Sequence, residues 1–218
     1  MSQEWRRRVL TRKLPAGALD PWHVMERIHP LLPENTTVLA DCGTPTPYLG
    51  AFWEVSGSGR TVVTPRGHGP MGYALPASLG ARYADPGNQI LTFTTDGSLV
   101  MAAGALETAA RNDGPIIFIH FSNGSLGWIK ALQHFYHDAQ YFGTQLSKFD
   151  AVSVAQGFGV RATRAHTLDD VAAAVRRGLT TRKPTFIDVP IPDEHDALPP
   201  VASWQRAASG EETSRPVY

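Results

Sequence analysis

Hydrophobic positions in this chain fall into short unbroken runs, separated by stretches in which they recur at helical spacing. Thr37-Val38-Leu39-Ala40, Ile90-Leu91-Thr92-Phe93-Thr94, Ile116-Ile117-Phe118-Ile119 and Thr185-Phe186-Ile187-Asp188-Val189 read as strands apolar on both faces, and Thr61-Val62-Val63 as a shorter one. Behind the Asp20-Pro21 start signal, Val24, Ile28 and Leu31-Leu32 mark a helix. Similar spacing predicts helices from Pro70 to the Asp85-Pro86-Gly87 stop, from Met101 to Asn112, and from Leu126 to about His134. Two more are predicted over Phe149 to Gln156 and Leu168 to Leu179, and Ser56-Gly57-Ser58-Gly59-Arg60 reads as a turn. Strands buried on both faces, alternating with helices, predict an α/β fold: a single doubly wound parallel sheet with helices on both faces. Residues 1–19 read as an N-terminal arm, 20–190 as the folded domain, and 191–218 as a proline-bearing tail, either a strap or a disordered end.

Composition narrows the functional classes. Twenty Lys and Arg against twenty Asp and Glu give no formal net charge, which argues against broad electrostatic binding to nucleic acid or to an anionic membrane. No apolar run reaches the roughly 18 residues of a membrane span. The basic stretch Arg6-Arg7-Arg8 is not followed by an apolar core of signal-peptide length, so the expected compartment is the cytoplasm. One cysteine, Cys42, excludes a disulfide within the chain and a cysteine-rich metal cluster.

The candidate chemistry lies at strand ends. In a doubly wound sheet, ligands bind beyond the carboxyl ends of the strands, where strand order reverses. Thr95-Asp96-Gly97-Ser98 follows one strand and Ser122-Asn123-Gly124-Ser125 follows the next, so Asp96 and Asn123, 27 positions apart, are expected at one rim. A carboxylate, a carboxamide oxygen and the Ser125 carbonyl, turned inward by the relaxed backbone of Gly124, make a hard oxygen set suited to Mg²⁺. Gly97 and Ser98 would aim backbone amides at a phosphate beside the start of the next helix. Taken alone, Asp-Gly-Ser is equally a turn and a helix cap. A second loop, Gly67-His68-Gly69-Pro70-Met71-Gly72, matches GxGxxG, with Asp96 about twenty residues beyond the loop. The flanks disfavour a dinucleotide fingerprint: the preceding strand is short, it is not the first of the fold, and Pro70 removes an amide from the phosphate turn.

Together these segments resemble the cofactor-binding signature of thiamine diphosphate enzymes, Gly-Asp-Gly followed by a helix, a strand and Asn-Asn. The similarity runs from about Leu39 to Val189 and is to the C-terminal diphosphate-binding (PP) domain of acetolactate synthase, benzoylformate decarboxylase and related 2-keto acid enzymes. Thr95 stands where that pattern has its first Gly and Ser122 where it has its first Asn. The resemblance implies thiamine diphosphate and Mg²⁺ as cofactors, with Asp96, Asn123 and the Ser125 carbonyl as metal ligands. It implies that Gly97 and Ser98, with Gly43 and Thr44 of an upstream loop, bind the diphosphate. Gly69 would accept through its carbonyl from the 4′-amino group, and Met71 would be the apolar wedge that bends the cofactor between its rings. For Gly43-Thr44-Pro45 a plain turn is an equal reading, and for Met71 a helix-start core residue is the alternative.

Other residues keep two readings. His68, just before Met71, is a candidate for the substrate pocket and for proton transfer, while His120 reads as a core or interface histidine inside a strand. His134 and His137 have a spacing compatible with a metal but no supporting motif, and a solvated face is the plainer reading. Trp128 is either pocket lining or a buried aromatic. Arg176-Arg177 reads as solvated or interface charge.

Enzymes of this type need a glutamate that activates the aminopyrimidine, supplied by a pyrimidine-binding (PYR) domain on a neighbouring subunit. The residues before the first strand cannot form a second such domain. The resemblance therefore implies a separate PYR-domain partner, two copies of each chain in a heterotetramer, and a small 2-keto acid or aldehyde substrate. The expected function is the diphosphate- and Mg²⁺-binding subunit of a split decarboxylase, carboligase or lyase. Two alternatives stand beside it: a nucleotide-dependent oxidoreductase using the Gly67–Gly72 loop, and a non-catalytic PP module that has lost part of its signature at Thr95 and Ser122.

Overall fold

The computed structural model describes Arg7 and residues 11–55 and 61–211. The predicted turn at 56–60 lies outside the described residues, as do 212–218 and most of 1–10. Six strands form a sheet in which every neighbouring pair is parallel: β1 (Thr36–Ala40), β2 (Thr61–Val63), β3 (Gln89–Thr95), β4 (Ile116–Ser122), β5 (Arg161–Arg164) and β6 (Thr185–Pro190). Their order is β2-β1-β3-β4-β6-β5. From β1 the chain steps outward to β2, then crosses back to β3 on the other side of β1. The crevice of a doubly wound sheet therefore opens between the carboxyl ends of β1 and β3.

The strands read as continuous apolar runs because both faces are covered. On one face α1 (Pro21–Ile28), α2 (Pro45–Phe52) and α8 (Leu168–Thr181) bury Trp22, Ile28, Tyr48 and Val175 against Val38, Phe93, Ile119 and Val189. On the other, α3 (Ala74–Ala84), α4 (Asp96–Ala102), α5 (Gly104–Asn112) and α7 (Ala151–Gly157) bury Leu75, Leu99, Leu106 and Ala155 against Leu39, Ile90, Phe118 and Phe186. α6 (Gly127–Tyr136) follows β4, and α9 (Ala202–Ala208) closes the described chain. Asp20 caps α1 by accepting from the Trp22 amide, with Pro21 in the first turn, as the sequence predicts. No helix among the described residues is long and apolar enough to cross a membrane.

Two helix starts differ from the sequence reading, and both differences shape the site. The helix expected from Pro70 begins at Ala74, because Gly72 takes φ +78° and the Asp41 carboxylate accepts from the Ala74 amide. The helix expected from Met101 begins at Asp96, at the strand end itself, and is broken at Ala103 before α5. The segment beyond Pro190 is a strap over its described length. The Ile191 amide donates to the Ser122 carbonyl, and Trp204 of α9 is buried on Trp128, with ring centroids 4.3 Å apart. The N-terminal segment grips this strap: the Leu19 amide donates to the Pro190 carbonyl, and the Arg12 guanidinium reaches Asp20, Tyr48 Oη and the Leu198 carbonyl.

Candidate functional site

The carboxyl ends of β1, β3, β4 and β6 converge on one cleft of about 500 Å³. Its walls come from the β1 loop (Cys42, Gly43, Thr44), the loop before α3 (Arg66 to Gly69, Met71), the start of α4 (Thr95, Gly97), the β4 loop with the start of α6 (Asn123 to Ile129), and the strap (Ile191, Glu194). Eight of the residues singled out from sequence line it: Gly43, Thr44, His68, Gly69, Met71, Gly97, Asn123 and Ser125. Asp96 and Ser98 do not. Both are buried in the first turn of α4, beneath the lining.

Asp96 is 4% exposed, and its Oδ2 accepts from the backbone amides of Asn123 at 2.8 Å and Gly124 at 3.0 Å. The carboxylate at the end of β3 thus holds the β4 loop in place. Within that loop Gly124 has φ +71°, and Asn123 Oδ1 accepts from the Ser125 amide and hydroxyl at 3.2 and 3.1 Å. The three residues expected to share a metal therefore lie together, with two side-chain oxygens within one hydrogen-bonded turn. Trp128 lines the cleft and is half-buried, packing on the buried Trp204. His68 is exposed at the cleft wall.

Met71 lies over Gly97. A Cβ on Gly97 would stand 3.3 Å from Met71 Sδ and 2.6 Å from Leu126 Cδ2, so the approach between the wedge and α4 is one that glycine alone leaves open. Gly72 fits equally closely, its Cβ position lying 3.2 Å from Met101 Cβ, which seats the Met71 loop on α4. This cradle fits a bent, phosphate-bearing group: an apolar wedge above, backbone amides and a Thr hydroxyl beside it, and hard oxygens at the rim. The Gly67–Gly72 loop lies between β2 and α3, but β2 is a three-residue edge strand and not the first of the fold, and α3 opens only at Ala74, beyond the loop, unlike a dinucleotide fingerprint.

Three carboxylates that the sequence reading passed over lie at the cleft or beneath it: Glu194 in its lining, Asp41 and Asp188 buried below. Asp41, fully buried after β1, accepts from the Ala74 amide and from Thr94 Oγ1 at 2.8 Å; burial nevertheless pushes its carboxyl up. Asp188 of β6 accepts from His120 Nδ1 at 2.9 Å and from Arg164 Nε at 2.7 Å. Burial works to raise its carboxyl, but these partners outweigh it and hold the group below the usual range. His120 Nε2 stands 3.6 Å from Asp96 Oδ1 without a hydrogen bond, so the core-histidine reading holds for Nδ1 only. Glu194 of the strap is 3% exposed; Thr44 Oγ1 donates to its Oε1, and Asn123 Nδ2 reaches its Oε2 at 3.4 Å. Burial pushes its carboxyl up to about 7. Burial, then the neighbouring Asp41, also raises the Cys42 thiol, which keeps it protonated and a poor nucleophile.

A sequence signal existed for two of these. His120 and Asp188 are polar residues set within otherwise apolar strands, and such residues must find partners. Glu194 lies in a proline-bearing segment without periodicity, and nothing local announces it. His134 is not on a freely solvated face: its ring stacks on His195 with centroids 4.6 Å apart, and its Nδ1 meets Tyr141 Oη at 2.8 Å.

A parallel sheet with this cleft at its reversal point defines a cofactor-binding α/β enzyme domain. The chain belongs to the thiamine pyrophosphate enzyme family: residues 41–189 match its C-terminal TPP binding domain. It is similar to the probable acetolactate synthase large subunit of Methanocaldococcus jannaschii, 28% identical over 169 residues that cover 77% of this chain and 28% of that protein. It is also similar to benzoylformate decarboxylase of Pseudomonas aeruginosa, 28% identical over 194 residues, 82% of this chain and 36% of that one. The solved thiamine diphosphate-dependent 4-hydroxybenzoylformate decarboxylase of Rhodococcus jostii RHA1 superposes with a TM-score of 0.75 at 25% identity, covering 83% of this chain and 34% of that one. The chain thus spans about a third of the length of these relatives.

Proposed function

We propose that this chain is the diphosphate- and Mg²⁺-binding half of a thiamine diphosphate-dependent decarboxylase, carboligase or lyase acting on a small 2-keto acid or aldehyde. The observation that carries the reading is the convergence of the Asn123–Ser125 turn and the Met71–Gly97 cradle on one cleft, with Asp96 directly beneath and bonded to that turn. Asp96, Asn123 and the Ser125 carbonyl would hold the metal. Gly43, Thr44, Gly97 and Ser98 would hold the diphosphate, Ser98 through its backbone alone, since its side chain is buried. Gly69 would orient the aminopyrimidine and Met71 would enforce the bend. When bound, the cofactor supplies an electron sink for breaking or making a C–C bond beside a carbonyl. Around it this chain orients the rings, excludes water with Leu126 and Ile191, and presents His68 towards the substrate side.

The reading includes a separate PYR-domain subunit that brings the activating glutamate, two copies of each chain, and a cytoplasmic setting in keeping with a chain of one cysteine. Its support is the resemblance itself, since enzymes of this type take the activating glutamate from a PYR domain on a neighbouring subunit, while the described residues form a single parallel sheet. Calorimetry of the full chain tests the cleft: thiamine diphosphate is expected to bind only with Mg²⁺, and Asp96→Ala to abolish that binding. Turnover of 2-keto acids is expected only after a PYR-domain chain is added, with a two-plus-two mass by native mass spectrometry. Metal-independent binding of a nicotinamide nucleotide would instead establish the oxidoreductase alternative, and cofactor binding without turnover by the reconstituted pair the non-catalytic one.

A further inference from the structure

Glu194 stands where it competes with the proposed ligand. Its Oε1 takes the Thr44 hydroxyl, the donor assigned above to the diphosphate, and its Oε2 faces Nδ2 of Asn123, whose Oδ1 is the oxygen assigned to the metal. The carboxyl group is seated against the backbone of Gly127: a Cβ there would run into Oε2 and lie 2.7 Å from Cδ and Oε1. Three elements, the β1 loop, the β4 loop and the start of α6, therefore build one seat for a carboxylate. Hydroxyl and amide donors do not distinguish a carboxylate oxygen from a phosphate oxygen. A carboxylate and a phosphate cannot both occupy this buried seat at contact distance, because like charges repel there.

The strap that carries Glu194 is anchored independently at both sides of it. Asp193 accepts from Lys130 Nζ at 2.5 Å and from Ser125 Oγ at 3.0 Å, and Arg12 holds the Leu198 carbonyl at 2.9 Å. Ser125 belongs to the turn that Asp96 organises, so displacement of Glu194 is felt by the strap on one side and by the metal turn on the other.

Resting on the proposed function of the cleft, we infer that residues 191–198 form a competitive latch, in which the Glu194 carboxylate fills the diphosphate seat and must leave it for the cofactor to enter. Part of the cofactor's binding free energy is then spent opening the strap, and the apparent affinity is lowered by the fraction of chains that are latched.

Inorganic pyrophosphate with Mg²⁺ is the probe, because it needs no residue from a partner chain. Calorimetry of the full chain is paired with hydrogen exchange at the amides of residues 193–198. Pyrophosphate is expected to speed exchange there, and Glu194→Ala to bind it about tenfold more tightly or better, the gain expected when a closed state that dominates is removed. Glu194→Gln, which keeps the size and the bond from Thr44 but loses the charge, is expected to tighten binding as well, and serves if the alanine variant does not fold. Unchanged or weaker binding by the variants, or a strap whose exchange is unaltered or slowed in a wild-type chain that does bind, would overturn the latch alone. A wild-type chain that binds neither pyrophosphate nor thiamine diphosphate with Mg²⁺ would overturn the reading of the cleft, and the latch with it.

Discussion

A Cβ at Gly97 would meet the far ends of two flexible side chains, Leu126 and Met71, rather than backbone. The fold can therefore absorb Gly97→Ala by turning those side chains, at a cost of about 1 kcal/mol, the low end for overpacking. The cleft cannot, because the wedge and the opposite wall are what move. The expected outcome is a melting temperature lowered by only a few degrees, set against a loss of thiamine diphosphate affinity of at least about tenfold, read by calorimetry beside a thermal melt. An equal loss in both would mean that Gly97 serves the fold rather than the site. At this scale the sequence was informative wherever chemistry and backbone coincide. Asp96, Asn123, Gly124 and Met71 could be placed together from residue type and position relative to strand ends, and the structure brings them together at or beneath the cleft. Glu194 does not, because what makes it notable is the burial created by three elements distant in sequence.

Thr94, His120, Asp188 and Arg164 lie in register across β3, β4, β6 and β5. With Asp41 bonded to Thr94, a row of polar side chains crosses the sheet one level below the rim. β3, β4, β6 and β5 contribute one member each and Asp41 follows β1, so the row ties these strands together close to where Asp96 and Asn123 stand. Asp188 is the member with most to lose. Asp188→Ala strands the buried His120 Nδ1 and takes a partner from Arg164, and is expected to cost about 3 kcal/mol, as for breaking a buried ion pair on one side. Arg164→Ala is expected to cost under about 1 kcal/mol, because that side chain is 42% exposed and its charge is screened. Urea denaturation of the two variants checks the contrast, and equal losses would count against the row. Elements were legible where their faces were apolar: all four long strands and the helices behind them follow the hydrophobic pattern. β5 escaped because Arg161-Ala162-Thr163-Arg164 is a polar edge strand, and α2 because Pro45, Pro47 and Gly50 mask its helical spacing. The starts of α3 and α4 were misplaced because contacts across the sheet, from Asp41 and from the end of β3, decide them.

For the molecule as a whole, Glu194 makes stability depend on pH in a direction unusual for a carboxylate. In the folded chain burial raises it to about 7 from its ordinary 4.5. Below 4.5 it is protonated in both states and the fold keeps its full stability. As pH rises, the unfolded chain ionises first, so stability falls through this window and levels off above about 7. The loss from this group is about 3 kcal/mol, accumulating at roughly 1.4 kcal/mol per pH across the window. Urea melts of the cofactor-free chain between pH 4.5 and 8 are expected to show this decline, and Glu194→Gln to remove it. A decline of the same size in the variant would assign it to other groups. The doubly wound architecture itself was readable from the alternation of strand and helix; for the tail a strap was one of two readings, and what it covers was not legible, since a proline-bearing segment with few apolar residues gives no sign of its contacts.

The strap also gives the cleft a history. Every other wall, from Cys42 to Ile129, is made before residue 191 is translated, and β6 must pair with β4 before Ile191 can dock on Ser122. Whenever the strap is undocked, Thr44 and Asn123 lack the Glu194 carboxylate, and they regain it once Glu194 is seated and Arg12 holds the Leu198 carbonyl. On the latch reading, a phosphate ligand that arrives before the strap docks would meet no competitor. One that arrives afterwards must lift the lid, so the order of emergence and binding becomes a kinetic route by which the chain can be loaded.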